Sequence, residues 1–300
     1  MNRKAYFDKR EAKVGLCFVA PALIYMIAVV GYPMVYNIIL SFQNLNVMNF
    51  RDQSQVFVGL DNYRTLFGDA TFRQVLAQTF IFTIACLIIQ FTIGFSMALF
   101  FSQRFHLSGP VRGLIVISFL MPMSVTGLVW NNMMQTDTGV INHILLWVGF
   151  VNTPIEWLIS PSLALLSVII ANSWVGIPFN MLLLTAGMTN IPQDIYESAS
   201  IDGAGYFQRL FKITVPLLRP AIMAVLMLGF IYTFKVFDLV VIMTRGGPVH
   251  YTQLLSTWSY RLAFTEHNFS LGSTSAVILF LCLMCVGGIY LWLIRGEESN

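Results

Sequence analysis

Long stretches without charge divide this chain into segments of membrane-spanning length. Asp, Glu, Lys and Arg are absent from residues 14–50, 74–103, 113–136, 157–193 and 267–294. Each stretch exceeds the roughly 20 residues that a helix needs to cross hydrocarbon. A sixth apolar segment, about 217–241, carries Lys235 and Asp238 in its interior. The pattern predicts six spans, at about 14–42, 74–101, 113–134, 161–186, 217–241 and 271–294.

Composition and the chemistry of lipid indicate that these segments are helices. Hydrophobic residues make up 57% of the chain and charged residues 10%, against about 25% charged residues in soluble domains. In lipid, every backbone polar group must find a partner within the protein, and the segments lack the alternation of barrel strands. The predicted fold class is therefore an all-α integral membrane protein with six transmembrane helices.

The basic residues predict the orientation of the chain. The N-terminal arm, residues 1–13, holds five Lys and Arg, and placing it in the cytoplasm leaves eleven basic residues inside and five outside. This asymmetry follows the positive-inside rule. It predicts that both termini, including the tail at 295–300, are cytoplasmic. The net charge of +3 then reflects topology, so membrane lipid is an expected partner and nucleic acid is not.

The chain shows no sequence signal for a nucleotide, a metal or a catalytic centre. Its four cysteines fall inside predicted spans, its four histidines are scattered, and no Gly-Lys-Ser/Thr phosphate loop occurs. We expect no cofactor and no catalytic residues in this chain, and an enzyme is the least favoured class of function.

The segment between the third and fourth predicted spans includes an apolar stretch at 140–150. It is too short to cross a membrane as a helix. We expect it to lie at the interface or against the protein, with Trp147 and Trp157 as interfacial anchors.

The segment at 188–216, on the predicted cytoplasmic side, is longer than a helical hairpin needs. Pro192 opens a predicted helix, because proline suits the first turn, and Gly203 ends it. A second short helix is expected from about Ala204 to Ile213, with Pro216 ending it. Two short helices joined at a glycine would present a rigid shape to a partner protein.

Several residues of this loop resemble a known signature. Glu197, Ser198 and Ala199, then Asp202, Gly203 and Ala204, then Ile213, Val215 and Pro216 are similar to the Glu-Ala-Ala signature of binding-protein-dependent ABC importer permeases. The sequence departs from that signature at Ser198, usually Ala, and at Val215, usually Leu. The resemblance covers about residues 14–294.

Two further segments resemble the sugar-type permeases of that superfamily, in particular the first of the two maltose or glycerol-phosphate permeases. One is the run from Gly59 to Tyr63, and the other is Phe237-Asp238 followed by Thr244 and Gly246-Gly247-Pro248. The resemblance implies the ABC type I importer permease fold in a prokaryotic inner membrane. Disaccharide, oligosaccharide, polyol and glycerol phosphate all remain open as the solute.

The same resemblance implies the partners. They are a second homologous permease subunit, a cytoplasmic ABC ATPase dimer that uses ATP, and an extracytoplasmic solute-binding protein. Residues 192–203 would form the coupling helix, with Glu197 meeting a basic group of the ATPase and Gly203 allowing the turn. The ATPase-coupling residues implied are Glu197, Ser198, Ala199, Asp202, Gly203 and Ala204.

Polar and aromatic residues inside the predicted spans are candidates for the path of the solute. Charged groups in a membrane are unfavourable and indicate function by default, although Lys235 could snorkel to the interface with Asp238 as a structural partner. Three apart, the two would lie on neighbouring faces of one helix. The candidates are Lys235, Asp238, Tyr232, Asn131, Asn172 and Trp174.

An ion-coupled secondary transporter is the alternative function. Lys235 and Asp238 would then act as the ion relay. The long structured loop at 188–216 argues against this alternative, because such a carrier has no ATPase to engage.

Overall fold

The computed structural model describes residues 3–49, 56–103 and 106–298, and the side chains of residues 14–294 within those ranges. This part of the chain is mainly helical, as predicted, with one short antiparallel pairing of β1 (Gln43–Asn44) with β2 (Val56–Phe57). The chain divides into two units, Met1–Leu66 with Ser259–Val277 and Phe67–Trp258 with Ile278–Asn300.

The first unit holds the first predicted span. Helix α1 (Arg3–Met26), a π-helical turn (Ile27–Gly31) and α2 (Tyr32–Ser41) follow one another without a break. Pro33 has no N–H to donate to the preceding turn, and a local π adjustment is one way in which a membrane helix accommodates such a loss. The prolines of this span therefore do not end the helix.

The run from Gly59 to Tyr63 packs against the end of α2, the last helix of this span. Gly59 has φ +58°, a turn conformation that favours glycine, and helix α3 (Asp61–Gly68) follows. The Asn62 side-chain amide donates to the carbonyl oxygens of Ser41 (2.9 Å) and Gln43 (2.7 Å). The Tyr63 hydroxyl lies 2.8 Å from Ser41 Oγ. These residues thus have a structural role in holding the loop onto α2.

The second unit contains the remaining helices. In chain order they are α4 (Ala70–Ser102), α5 (Ser108–Leu120), α6 (Met123–Met133), α7 (Val140–Val148), α8 (Pro161–Thr189), α9 (Gln193–Ile201), α10 (Tyr206–Arg209), α11 (Val215–Leu217), α12 (Arg219–Phe234) and α13 (Asp238–Met243). Helices α14 (Leu255–Tyr260) and α15 (Phe269–Glu298) contribute residues to both units.

Four helical stretches of the described chain are long and apolar enough to cross a membrane: Val14–Ser41, Ala70–Ser102, Pro161–Thr189 and Phe269–Ile294. Two bent pairs, Ser108–Leu120 with Met123–Met133 and Tyr206–Leu217 with Arg219–Phe234, bring the number to six if each pair is one span. The count of six spans stays a prediction.

The third and fifth predicted spans are not single straight helices. The third bends by 98° between α5 and α6, because Met121, directly before Pro122, is extended with ψ 135°. The helices before and after Leu218 differ in direction by 66°. Pro216 lies inside α11, so the expectation that Pro216 ends the second loop helix is wrong.

The core of the second unit is the packing of α4 against α8. Phe82 and Cys86 of α4 are fully buried with Val168 and Ala171 of α8 in one apolar cluster. The two backbones come close at Gly94, where a Cβ atom would lie 2.6 Å from Asn180 Cβ and 3.0 Å from the Ile177 carbonyl oxygen. Small residues permit such approach between membrane helices.

Asn142 holds the segment between α6 and α8 together. Its side chain is 1% exposed, donates to the carbonyl oxygens of Thr136 and Ile155 (both 2.9 Å), and accepts from Trp157 Nε1 at 2.9 Å. Trp147 is 87% exposed, whereas Trp157 packs against the buried cluster. Trp157 is thus partly covered by protein, and its role as an interfacial anchor stays a prediction.

Replacing Asn142 with Leu is expected to destabilise the chain by about 3 kcal/mol, because several buried polar groups lose their partner at once. The measurement is the melting temperature of the detergent-solubilised protein. The exposed neighbour provides a control, since His143→Leu is expected to melt within about 2 °C of the wild type. Equal melting of the two variants would contradict the role assigned to Asn142.

Candidate functional site

The signature loop folds into a short helix with a defined end. Helix α9 begins after Pro192, whose ψ of 135° is not helical, and Asp194 lies in its first turn. At the other end Gly203 has φ +79°. Its N–H donates to the Ser200 carbonyl at 3.1 Å, and the Ala204 N–H donates to that of Ala199 at 2.9 Å. These are the two hydrogen bonds of a Schellman motif, so the expectation that Gly203 ends the helix is confirmed.

Side-chain contacts tie α9 to the rest of the loop. The Tyr196 hydroxyl lies 3.0 Å from Thr214 Oγ1, and Arg209 donates to Ser200 Oγ at 2.8 Å. The second helix begins at Tyr206 and continues through a π-helical turn over Leu210–Thr214 to Leu217, so it ends later than the expected Ile213. Sequence reasoning missed the roles of Ser200 and Arg209, which come together only when the loop folds.

The outer surface of the loop is exposed within this chain. Helix α9 buries none of its residues, and Glu197 is exposed with no ion pair among the described residues. Ile201 is 87% exposed and Phe207 is 70% exposed. An exposed carboxylate and large exposed apolar side chains on a loop held by side-chain hydrogen bonds form a surface suited to a protein partner.

A second candidate site is a cavity of about 440 Å³ inside the second unit. Helices α4, α5, α8 and α12 contribute to it, together with the connections after α5 and α12 and the first residues of α6 and α13. Its lining includes Gln90, Phe119, Met121, Met123, Asn172, Gly176, Phe179, Tyr232, Lys235, Phe237 and Asp238. Ligand pockets of this size are usually mainly apolar with a few polar groups, and this cavity has that character.

The cavity brings together four of the six predicted pathway residues: Asn172, Tyr232, Lys235 and Asp238. Asn131 and Trp174 do not line it. The Asn131 amide donates to the Met243 carbonyl oxygen and accepts from Gln135, both at 2.8 Å. The Trp174 ring packs edge-on to Trp130, with centroids 6.1 Å apart.

The expectation that Lys235 and Asp238 lie on neighbouring faces of one helix is wrong. Helix α12 ends at Phe234, and α13 begins at Asp238 after three non-helical residues, 235–237. No ion pair joins the two side chains. Instead the Lys235 ammonium lies 5.4 Å from the centroid of the Tyr232 ring, within the range of a cation–π interaction.

Sequence reasoning missed Gln90 and most of the aromatic residues of the cavity. Gln90 was detectable, since it is an amide in the middle of the apolar run at 74–103. Phe119 and Phe179 carry no such signal, because phenylalanine is equally common against lipid and in the core, whereas Phe237 stands in the resemblance to sugar-type permeases without having been predicted to line a cavity.

Helices of membrane-spanning length, an exposed loop and a cavity between helices are the features of a polytopic helical membrane protein. Residues 90–297 match the family model described as "Binding-protein-dependent transport system inner membrane component". The chain therefore belongs to the family of inner-membrane components of binding-protein-dependent transport systems.

Individual relatives cover nearly the whole chain. The sulfoquinovosyl glycerol transport system permease protein SmoG of Agrobacterium fabrum is 30% identical over 98% of this chain and 94% of its own length. The trehalose/maltose transport system permease protein MalF of Thermococcus litoralis is 32% identical over 97% and 96%. A bacterial alginate ABC transporter, solved with a periplasmic protein bound to alginate pentasaccharide, has the same fold, with a TM-score of 0.83, 19% identity and 98% coverage of both chains.

Proposed function

We propose that this chain is the membrane-spanning permease subunit of an ATP-driven importer for a sugar, oligosaccharide or polyol-type solute. Family membership carries the proposal. The carbohydrate class is supported by relatives named for sulfoquinovosyl glycerol and for trehalose and maltose. An external solute-binding protein is supported by the periplasmic protein bound to the alginate transporter.

In this proposal the coupling of ATP hydrolysis to transport runs through α9. A pair of cytoplasmic ABC ATPase subunits uses the ATP, and this chain holds no cofactor. The exposed Glu197 and the apolar Ile201 and Phe207 form the docking surface. Tyr196 and Arg209 hold that surface rigidly, so a movement of the ATPase is passed to α8 and α12 rather than absorbed by the loop. The cavity opens alternately to the two sides of the membrane. ATP shifts the equilibrium between the inward-open and outward-open states only by binding to them with unequal affinity.

The cavity is the proposed passage for the solute. Phe119, Phe179 and Tyr232 offer apolar faces for a sugar ring, and the amides of Gln90 and Asn172 offer hydrogen bonds in place of water. Lys235 and Asp238 contribute charged groups to the part of the cavity wall that follows the end of α12. Polar side chains that line an internal cavity are the usual way for a membrane protein to carry a hydrated solute.

The proposed setting is the cytoplasmic membrane of a prokaryote, with six spans and both termini in the cytoplasm. A second homologous permease subunit completes the pathway. The stretch Val14–Ser41 is long and apolar enough to cross the membrane, which supports its place as the first of these spans. Lipid and the second subunit are the surfaces that would cover it.

Uptake by the whole importer in proteoliposomes tests the proposal. We expect labelled solute to enter only when ATP is present on the side of the ATPase. A panel of maltose, trehalose and sulfoquinovosyl glycerol covers the solutes named for the relatives. Collapsing the proton and sodium gradients with ionophores is expected to change the rate less than twofold.

The ion-coupled alternative predicts the opposite result. Uptake would then need no ATP and would stop when the gradients collapse, and Asp238→Asn would remove the response to pH. Vesicles with the ATPase subunits left out serve as the control for leakage, because an importer of this class is inactive without them.

A further inference from the structure

Gln90 occupies an unusual place in the wall of the cavity. It lies in the middle of α4, is 3% exposed, and borders the cavity together with Asn172 of α8. Its side-chain Nε2 donates to the main-chain carbonyl oxygen of Asn172 at 3.3 Å. This bond crosses between the two helices and fixes the plane of the carboxamide.

Gly176 provides the space for that carboxamide. A Cβ atom built on Gly176 would collide with Cδ, Oε1 and Nε2 of Gln90. The amide therefore lies directly over the α-carbon of Gly176, in the volume that any side chain there would fill. Asn172 and Gly176 are four residues apart on α8, so they share one face of that helix.

The carboxamide retains hydrogen-bonding capacity toward the cavity. An amide has two N–H donors and an oxygen with two lone pairs. Among the described residues, the bond to Asn172 is the one that the Gln90 side chain makes. Its Oε1 accepts no hydrogen bond from these residues, and it is not one of the fully buried polar atoms, so the protein does not enclose it completely. An amide in an apolar wall gains from a hydrogen bond to whatever fills the cavity.

Aromatic rings surround the same space. Phe179 and Tyr232 pack edge-on with centroids 6.1 Å apart, and Phe119 lies 5.5 Å from Phe179. A solute that satisfies both the rings and the amide has an apolar ring face and hydroxyl groups at its edge. On the basis of the proposed function, we propose that Gln90 determines specificity by hydrogen-bonding a hydroxyl of the solute, and that Gly176 positions it.

Thiol labelling tests the placement without knowledge of the solute. The whole importer is reconstituted with the four native cysteines of this chain replaced and its uptake verified. Gln90→Cys and Tyr232→Cys are expected to react with a charged, water-soluble thiol reagent. Thr83→Cys, on the same helix but fully buried and outside the cavity lining, is expected to stay unlabelled.

The labelling outcomes distinguish the role of Gln90 from the role of the cavity as a passage. Reaction at position 232 but not at 90 overturns the proposal for Gln90 and leaves the cavity as the passage. Reaction at neither position overturns both the cavity and Gln90, while ATP-driven uptake would still support the permease function. Reaction at all three positions, including 83, overturns the packing on which the proposal rests.

Uptake kinetics test the specificity role of Gln90. The solute is maltose or trehalose, whichever the wild-type importer transports. If it transports neither, the thiol-labelling result alone decides the proposal. Gln90→Leu is expected to raise KM about tenfold with little change in the maximal rate, since one hydrogen bond is lost. Gln90→Asn keeps the amide and should recover part of the affinity. Thr83→Val should leave KM unchanged, and a KM for Gln90→Leu within twofold of the wild type overturns the proposal.

The role of Gly176 is tested by a double-variant cycle. Gly176→Ala alone is expected to raise KM as much as Gln90→Leu, because the new methyl group displaces the amide. Combined with Gln90→Ala, which vacates that space, Gly176→Ala should add no further increase in KM. Additive effects of the two changes would overturn the positioning role.

Discussion

The double variant Glu197→Arg with Gly203→Leu is expected to lose its ATPase partner, or to retain it without coupled transport. The charge reversal places a cation where the exposed carboxylate of α9 meets a basic group of the ATPase in the proposed complex. The glycine change alters the path of the chain directly after the same helix. Because both changes lie on an exposed loop, the variant chain is expected to insert into the membrane at wild-type levels.

Gly203 contributes through its backbone conformation rather than through lack of space. A Cβ atom at this position would meet nothing within 4 Å, but φ is +79°. A leucine in the left-handed region costs about 1–2 kcal/mol. That strain is comparable with the net contribution of the two Schellman hydrogen bonds, about 0.5–1.5 kcal/mol each, so the leucine is expected to destabilise the end of α9 and the approach to α10.

A neighbouring glycine supplies the matched control. Gly205 also has open space around its Cβ position, but its φ of −69° suits any residue. Gly205→Ala should therefore bind the ATPase as the wild type does, and so should Ser198→Ala, which restores the usual residue of the signature. The measurement is the ratio of ATPase to permease in a detergent pull-down, together with ATP-driven uptake.

We expect that ratio to fall at least tenfold in the double variant, corresponding to about 1.4 kcal/mol or more of docking free energy. If it persists but uptake stops, the loop transmits motion without setting affinity. Normal pull-down and normal uptake in the double variant would contradict the assignment of α9 as the coupling element.

Local signals in the sequence were sufficient for α9 but not for the helix breaks. Gly203 ends its helix for a local steric reason, so its role could be predicted. Pro122 was equally visible, yet membrane helices often tolerate proline, and a 98° bend could not be deduced from it. The break after Phe234 contains neither glycine nor proline, so the sequence gives no local sign of it. The prediction that Lys235 and Asp238 share one helix was wrong for that reason.

Which residues line the cavity depends on tertiary contacts that cannot be deduced from the spacing of residues along the sequence. Asn131 and Asn172 are both amides in predicted spans, but Asn131 is used in packing α6 against α13, and Asn172 borders the cavity. Phe119 and Phe179 meet only because α5 and α8 come together. The sequence predicted which kinds of residue would line a pathway, whereas tertiary packing determined which individual ones do.

Gly94→Val is expected to reduce the stability of this chain more than any substitution discussed above, because it forces apart the two central helices. Even a methyl group at this position would lie 2.6 Å from Asn180 Cβ, 3.0 Å from the Ile177 oxygen and 3.2 Å from the Met181 nitrogen. Two of these atoms belong to the backbone of α8 and cannot rotate away. Gly94→Ala should cost about 1–3 kcal/mol, and the larger valine more.

The measurement is the melting temperature and folded yield of the detergent-solubilised chain. Gly113→Ala is the matched control, since Gly113 is also a helical glycine in a predicted span but has nothing within 4 Å of its Cβ position. A fall on the order of 5 °C is expected for Gly94→Ala and little change for Gly113→Ala. Equal melting of the two would contradict the close packing of α4 on α8.

Substitutions at Gly94 and Gly176, the two glycines at the contact between α4 and α8, should have different effects. At Gly94 the obstacle is backbone and a Cβ atom, so an added methyl group separates the helices and lowers stability. At Gly176 the obstacle is the end of the Gln90 side chain, which can rotate at modest cost, so the same methyl group displaces the amide and lowers solute affinity. Comparing melting temperature and KM for Gly94→Ala and Gly176→Ala therefore separates the helix-packing role of one glycine from the positioning role of the other. A Gly176→Ala variant that loses stability as Gly94→Ala does, with unchanged KM, would place both glycines in packing alone.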